Sequence, residues 1–402
     1  MITEVSCGAL GSTEYRFRTS LRHTTGGNSS GGDKGVFYTE QVLLSSGQVR
    51  NSPRVQFFHG SPMSPEEILQ LTAQLISCKS LTFDELPVFE LFNSVALSRG
   101  LPCTLIPIGE RRANLLVTFG TPRIVFTTHL DVVDGPEHLF TPRRDGDTIF
   151  GRGACDAKGI AATMLGVVEE LLALRERDFA LLLVCGEEVD GLGARVAAEH
   201  LKGAGVKFIV NGEPTELKLV TAHRGTLNLV VSAQGRAAHS GFPELGIDAN
   251  RRLIELCQTL YALDFGEDAE LGRATLNIGE LQGGVASNVV SPKARAHGIL
   301  RTVLSTEETV SLIRKQLPND AEVELLYGND PVRCLALPGF EHTVAPYFTD
   351  IPNFAALGAQ AVLYGPGSIQ DAHTDTEKIT LADVSAGKTG YLRIFQLLKQ
   401  ML

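Results

Sequence analysis

No apolar run in this 402-residue chain reaches the ~18–20 residues that a membrane-spanning helix needs. Extended runs of lysine and arginine are missing too, and the formal net charge is −10. Neither a nucleic acid nor an anionic membrane is therefore the expected partner. The N-terminus carries Glu4 and no continuous apolar core, unlike a secretory signal. Seven cysteines lie scattered at positions 7, 78, 103, 155, 185, 257 and 334, with no Cys-x-x-Cys pair. An odd, dispersed set is not a disulfide framework, so reduced thiols in a cytoplasmic protein are the expectation. Three motifs of other chemistries also fail. Gly151-x-Gly153 lacks the third glycine of a dinucleotide fingerprint, and the Asp156 that follows would repel a pyrophosphate. Gly387-Lys388-Thr389 has Ala382 where a phosphate loop needs its first glycine. No Gly-x-Ser-x-Gly nucleophile elbow is present.

What is present suits a large folded protein. Hydrophobic residues make up 43 % and charged residues 20 %, enough apolar material for a sizeable core. Residues 1–62 differ in being rich in Ser, Thr and Gly (TTGGNSSGG at 24–32) without periodicity, and are expected to be a disordered extension. A helix signal follows: Ser64 as N-cap, Pro65 at the first helical position, then Glu66 and Glu67. The ordered chain is expected to begin near Met63, itself a candidate start. Strand-like runs then alternate with helical patterns: Ile124–Thr128, Ala157–Arg177, Leu181–Cys185, Leu192–Lys202, Phe208–Val210. That alternation predicts an α/β fold with a mostly parallel sheet. The texture changes between 225 and 329, which reads as an inserted α+β unit, and the α/β pattern resumes over 330–402. The α/β domain is thus expected to comprise 63–224 and 330–402. No internal repeat is visible.

The ends of the apolar runs carry the chemistry. Ile124–Thr128 leads into His129-Leu130-Asp131, Leu181–Cys185 into Gly186-Glu187-Glu188, and Phe208–Val210 into Asn211-Gly212-Glu213. Ala361–Tyr364 leads to His373, and Asp156 precedes the first long helix. Sites in open α/β sheets form beyond the carboxyl ends of the parallel strands. Each signal alone is ordinary: a His-x-Asp pair is usually a surface feature, and adjacent glutamates usually open a solvated helix. Together, two histidines and several carboxylates converging on one sheet edge form a ligand set for two divalent ions, with zinc favoured and one carboxylate bridging.

These residues resemble the di-zinc group of aminoacylases, acetylornithine deacetylases and succinyl-diaminopimelate desuccinylases, which also contains several carboxypeptidases. The resemblance covers roughly 63–402. It implies two Zn²⁺ ions, with Co²⁺ able to substitute, held by His129, Asp156, Glu188, Glu213 and His373, with Asp156 as the bridge. It implies that Asp131 orients His129 and that Glu187 is the general base. The 225–329 insert resembles the family's lid, which mediates dimerisation in many members. Gly235-Arg236-Ala237-Ala238-His239-Ser240-Gly241 resembles the lid motif whose histidine reaches a neighbouring subunit's site and stabilises the oxyanion. Gly283-Gly284, Asn288 and Arg301 resemble the segment that binds a substrate carboxylate.

The expected activity is hydrolysis of an N-acyl amino acid or small peptide by a homodimer. Gly365-Pro366-Gly367-Ser368-Ile369, Ala372-His373 and Glu377 look most like the acetylornithine deacetylase branch. Succinyl-diaminopimelate desuccinylase and a metallo-carboxypeptidase or dipeptidase are the alternatives, and a non-catalytic binding protein on the same fold is the remote one. Two departures bear on substrate and site. Cys155 and Ala157 flank Asp156 where relatives often carry other residues, and the 330–350 stretch is short.

Overall fold

The computed structural model describes residues 61–402 except 319 and 320, together with the backbone of a short antiparallel pair, Gln41–Leu43 against Val49–Asn51. Apart from that pair and residues 61 and 62, the extension expected at 1–62 lies outside the described residues. The helix Pro65–Ser77 starts where its cap predicts: Ser64 and Glu67 form a reciprocal capping box, with Ser64 N donating to the Glu67 carboxylate at 2.8 Å. Its buried side carries Ile68, Leu69, Leu71, Leu75 and Ile76.

A nine-stranded sheet organises the molecule. Its order runs Val332–Arg333, Leu219–His223, Gln360–Leu363, Phe208–Asn211, Ile124–His129, Phe179–Val184, Ala113–Phe119, Cys103–Pro107, with His342–Ala345 also paired to Leu219–His223. The four central strands, from Gln360–Leu363 to Phe179–Val184, are mutually parallel. Beyond them the neighbours turn antiparallel on both sides. The parallel expectation therefore describes the centre, where the site residues emerge, and the edges are mixed.

Both faces of the centre are covered, which is why its strands read as unbroken apolar runs rather than alternating ones. Phe126, Leu181, Leu183, Val210 and Val362 join the core under helices Pro65–Ser77, Leu86–Ser98, Lys158–Ala173 and Leu381–Lys399. Their strand neighbours Val125, Leu182, Val184 and Ile209 join a second core with helix Leu192–Leu201 and the 3-10 helix Ile351–Leu357. No described helix is long and apolar enough to cross a membrane.

Four strands between Gly225 and Asn329 form a separate antiparallel sheet in the order Thr275–Gly283, Lys293–Thr302, Gly225–Gln234, Glu322–Asn329. Here the period-2 pattern is plain: Leu227, Leu229, Val231 and Ala233 face a core of their own, completed by helices Ala249–Ala262 and Thr306–Gln316. The opposite face of this sheet carries Thr226, Asn228, Ile299 and Arg301, two of which reach the cavity described below. A three-stranded sheet of Arg143–Asp145, Thr148–Phe150 and Lys378–Thr380 joins the two distant parts of the α/β unit.

Phe126 ties a central strand to the helix layer, packing edge-on to Tyr391 (6.0 Å between centroids) and beside Phe395 (6.4 Å). Phe126→Ala is expected to lower stability by about 3–5 kcal/mol through lost burial and a residual cavity. Urea unfolding followed by circular dichroism checks this, and a midpoint unchanged from the parent would contradict the packing.

Candidate active site

Three central strands and two loops deliver their polar residues to a single edge. Ile124–His129 ends in His129, whose Nε2 lies 3.1 Å from Asp156 Oδ1. His129 Nδ1 lies 3.0 Å from the Asp131 backbone carbonyl and 3.6 Å from its carboxylate. Asp131 therefore meets the imidazole chiefly through its main chain. Its carboxylate, fully buried, accepts the backbone N–H groups of Gly186 (2.9 Å), Glu187 (3.1 Å) and Glu188 (3.2 Å) and the Thr82 hydroxyl (2.8 Å). The same residue thus presents the histidine and shapes the turn that bears both glutamates.

That turn has a second clamp. Arg112 donates both terminal nitrogens to Asp190, at 2.8 and 3.0 Å, and its Nε lies 3.3 Å from the buried Glu85. Gly186 sits against this pair with φ +80°; a Cβ there would come within 2.0 Å of the guanidinium. Only glycine fits such a close, left-handed position.

Asp156 is held by a different device. Arg152 and Glu377, both buried, pair at 2.7 Å. The other Glu377 oxygen accepts the backbone N–H groups of Cys155 (3.3 Å) and Asp156 (3.2 Å). Gly151 N in turn donates to the Glu377 carbonyl at 3.0 Å. Glu213 follows strand Phe208–Asn211, where Gly212 lies so close to Ile160, Met164 and the Tyr391 hydroxyl that any side chain would collide. His373, half-exposed, points its Nε2 at Glu188 (3.0 Å) and Asp156 (3.3 Å).

Two triplets of donors result: His129, Asp156 and Glu213, and Asp156, Glu188 and His373, each with ligand atoms within 4.8 Å of one another. Asp156 belongs to both. Glu187 belongs to neither, yet it lines the same cavity of about 500 Å³. Arg301, Ile299, Tyr327 and Asn329 of the inserted unit form part of that cavity's wall, with Arg195, Asn353, Tyr347 and Phe348 on the α/β side.

The cluster is rich in negative charge. Burial, reinforced by Glu213, pushes the Glu187 carboxyl well above its usual range, and burial with the charges of Asp156, Asp350 and Glu188 does the same to Glu213. Burial also raises Glu188. Asp156 goes the other way: hydrogen bonds from His129 and His373 overcome its burial and hold it low. Those hydrogen bonds to Asp156 and Glu188 pull the His373 imidazole up to about 10. Crowded carboxylates and imidazoles in two sets sharing one aspartate are the donor chemistry that suits a pair of divalent cations.

The other expected residues lie elsewhere. His239 and Asn288 are exposed and adjoin one another on the inserted unit, through Ser240 N to the Asn288 carbonyl at 2.9 Å and the pairing of His239 with Val289. Neither lines the cavity of its own chain. Arg301 does, and its guanidinium donates to Thr226 at 2.8 Å. Sequence reasoning missed Thr82, Arg112, Asp190 and Tyr347. None belongs to a spaced motif, and the two that meet Asp131 and Asp190 come from loops dozens of residues away. Glu377 stood out in the sequence only as a branch marker, not as the support of Asp156.

The family model for peptidase family M20/M25/M40 matches residues 125–397. A peptidase M20 domain-containing protein of Schizosaccharomyces pombe is 33 % identical over 369 residues, covering 87 % of this chain and 90 % of that one. A protein of Aspergillus fumigatus named Probable carboxypeptidase is 36 % identical over 309 residues, 69 % of this chain and 70 % of its own. Among solved structures, an M20 metallo-carboxypeptidase from Sulfolobus solfataricus shares the fold with a TM-score of 0.69 at 17 % identity, over 82 % of this chain and 99 % of that one. A dinuclear metal-binding M20 peptidase from Bacillus subtilis does so with a TM-score of 0.58 at 14 % identity, over 83 % and 98 %. This chain belongs to peptidase family M20/M25/M40, whose members are metallopeptidases hydrolysing amide and peptide bonds.

Proposed function

We propose that the chain is a two-metal carboxypeptidase-type amidohydrolase, which releases an amino acid with a free carboxylate from a small peptide or N-acyl conjugate. The observation that carries this is the pair of donor triplets sharing Asp156, beside a glutamate, Glu187, that neither triplet uses. His129, Asp156 and Glu213 would hold one ion and Asp156, Glu188 and His373 the other, zinc on donor type with cobalt able to replace it. Such ions would supply Lewis acidity, lowering the pKa of the attacking water toward neutrality and polarising the scissile carbonyl.

Glu187 takes a proton from the attacking water as the new C–O bond forms. It then delivers that proton to the amide nitrogen as the C–N bond breaks, leaving a carboxylic acid and an amine. Arg301 faces the same cavity and suits the free carboxylate of the departing amino acid, because a planar guanidinium pairs bidentately with it. The relatives named as carboxypeptidases favour this substrate class. The acetylornithine deacetylase branch rests on the Gly365–Ile369, His373 and Glu377 resemblance, and a panel of N-acetyl, N-succinyl and dipeptide substrates separates the two.

The 225–329 unit serves in this reading as the lid and dimer contact, with His239 and Asn288 acting in the partner's cavity. What supports it is their position outside their own cavity, with the exposed Phe242 ring 6.3 Å from that of His239, on a unit whose strand Thr275–Gly283 is a sheet edge and which also exposes Leu245, Leu281 and Val285. An exposed edge and apolar surface of this kind favour association.

Three outcomes test the reading. Elemental analysis is expected to find about two divalent ions per chain, a chelator to abolish hydrolysis, and zinc or cobalt to restore it. Chelator-insensitive hydrolysis by a metal-free protein would sink it. Glu187→Ala is expected to keep its metal while losing roughly 10²–10⁴-fold in rate, whereas Glu188→Ala loses metal; the reverse pattern would reassign the two residues. His239→Ala is expected to lose on the order of 10²–10³-fold in kcat, and mixing it with Glu187→Ala to restore part of the activity. A mixed dimer contains one site with Glu187 intact and an intact His239 from its partner. Background activity after verified subunit exchange would rule out a shared site.

A further inference from the structure

We propose that Tyr347 is a further catalytic residue, donating its phenolic O–H to the oxygen that becomes negative when the substrate carbonyl is attacked. The inference deepens the amidohydrolase reading above and rests on it. Tyr347 lines the cavity together with Asp156, Glu187, Glu188, Glu213 and His373. Its ring is seated on an apolar cluster of Val220, Ala345, Ile351 and Leu363. Its hydroxyl reaches the carbonyl of Pro214, the residue after Glu213, at 3.3 Å. That is long for an O–H···O bond, which usually spans about 2.5–3.0 Å, so turning the proton toward a better acceptor sacrifices little.

The segment bearing Tyr347 is fixed in place. Two residues on, Thr349 Oγ1 lies 3.2 Å from His223 Nε2 and accepts Ile351 N at 3.3 Å. A donor held this way needs little reorganisation when charge develops. Burial, with the nearby Glu213 and Asp156 charges, pushes the phenol far above its usual range, so it stays an O–H donor.

Carboxylates dominate this end of the cavity, at Asp156, Glu187, Glu188 and Glu213. Of the other donors on the α/β side, Arg195 is bonded to the Asp190 carbonyl at 2.7 Å and Asn353 to the Asp350 carboxylate at 2.8 Å. Arg301, Tyr327 and Asn329 belong to the inserted unit, while His239 is absent from its own chain's cavity. Tyr347 stands beside Glu213 on the α/β unit itself, so its contribution requires neither lid movement nor a partner.

Tyr347→Phe keeps the ring and its packing and removes only the O–H. The full-length zinc-loaded enzyme is assayed with the dipeptide or N-acyl amino acid cleaved fastest in the panel, and with the phosphinic analogue of that compound, a tetrahedral mimic. The expected result is a fall in kcat of roughly 10²–10³-fold with KM within about twofold. Zinc content stays unchanged, and the phosphinate inhibition constant rises in step with the loss in kcat/KM. A kcat within about threefold of the parent overturns the proposal. So does a loss accompanied by loss of zinc, or one that leaves phosphinate affinity intact, since either marks a structural role. Glu187→Ala separates the two levels. If it is inactive while Tyr347→Phe runs at full rate, this inference alone fails; if Glu187→Ala itself runs at full rate, the underlying reading fails.

Discussion

The Asp131 carboxylate accepts the backbone N–H groups of three successive residues, Gly186, Glu187 and Glu188, and its main-chain carbonyl meets the His129 ring. Those contacts couple the ends of two adjacent parallel strands, Ile124–His129 and Phe179–Val184. Parallel pairing alone would align the strands but leave the turn beyond them free. With the carboxylate buried and its lone pairs taken up by the turn, the direction in which each glutamate leaves the backbone is fixed. Burial opposes the charge on Asp131, yet the nearby His129 ring and the bonds from Thr82 and the Glu188 N–H outweigh it and hold the carboxyl below its usual range. An anion here is what keeps the histidine and both glutamates in register.

The Asp156 loop shows the same logic with different parts. A buried Arg152–Glu377 pair spans more than two hundred residues of sequence, and the free oxygen of Glu377 gathers the N–H groups around Asp156. A buried ion pair contributes little net stability, because desolvation offsets most of its attraction. What it supplies here is a fixed direction for hydrogen bonds. The small sheet joining Thr148–Phe150 to Lys378–Thr380 brings the two segments together.

How far the sequence revealed this follows from the range over which each signal acts. Strands buried on both faces wrote themselves as apolar runs, and the residues ending them marked the site edge, so His129, Asp156, Glu188, Glu213 and His373 were all visible in the sequence and meet in space. The Ser64–Pro65 cap was legible because capping is a local bargain between neighbouring residues. The supports were not. Thr82 meets Asp131 across 49 positions, and Arg112 meets Asp190 across 78, contacts that no periodicity encodes. The antiparallel edges escaped for a related reason: strand direction depends on which way the intervening chain returns, not on the strand's composition. His239 and Asn288 were singled out by resemblance, and within one chain they do not approach the cavity.

The carboxylate crowd also bears on how stability is distributed. Glu187, Glu188 and Glu213 are all pushed upward by burial and by charges within the cluster, so holding them ionised together costs free energy in the bare protein. A ligand that binds the folded site and not the unfolded chain returns stability in proportion to the logarithm of its concentration over Kd. Divalent cations would act in this way at the two triplets, because the unfolded chain does not bring those residues together. The fold is equipped to bear the cost because the strain is confined. The cluster sits at the ends of strands with buried, largely apolar interiors, with Phe126, Leu181 and Val210 anchoring them a few residues behind His129, Glu187 and Glu213. Rigid packing behind a mutually repelling set of ligands keeps the donors pointed at common centres, instead of letting repulsion spread them into solvent.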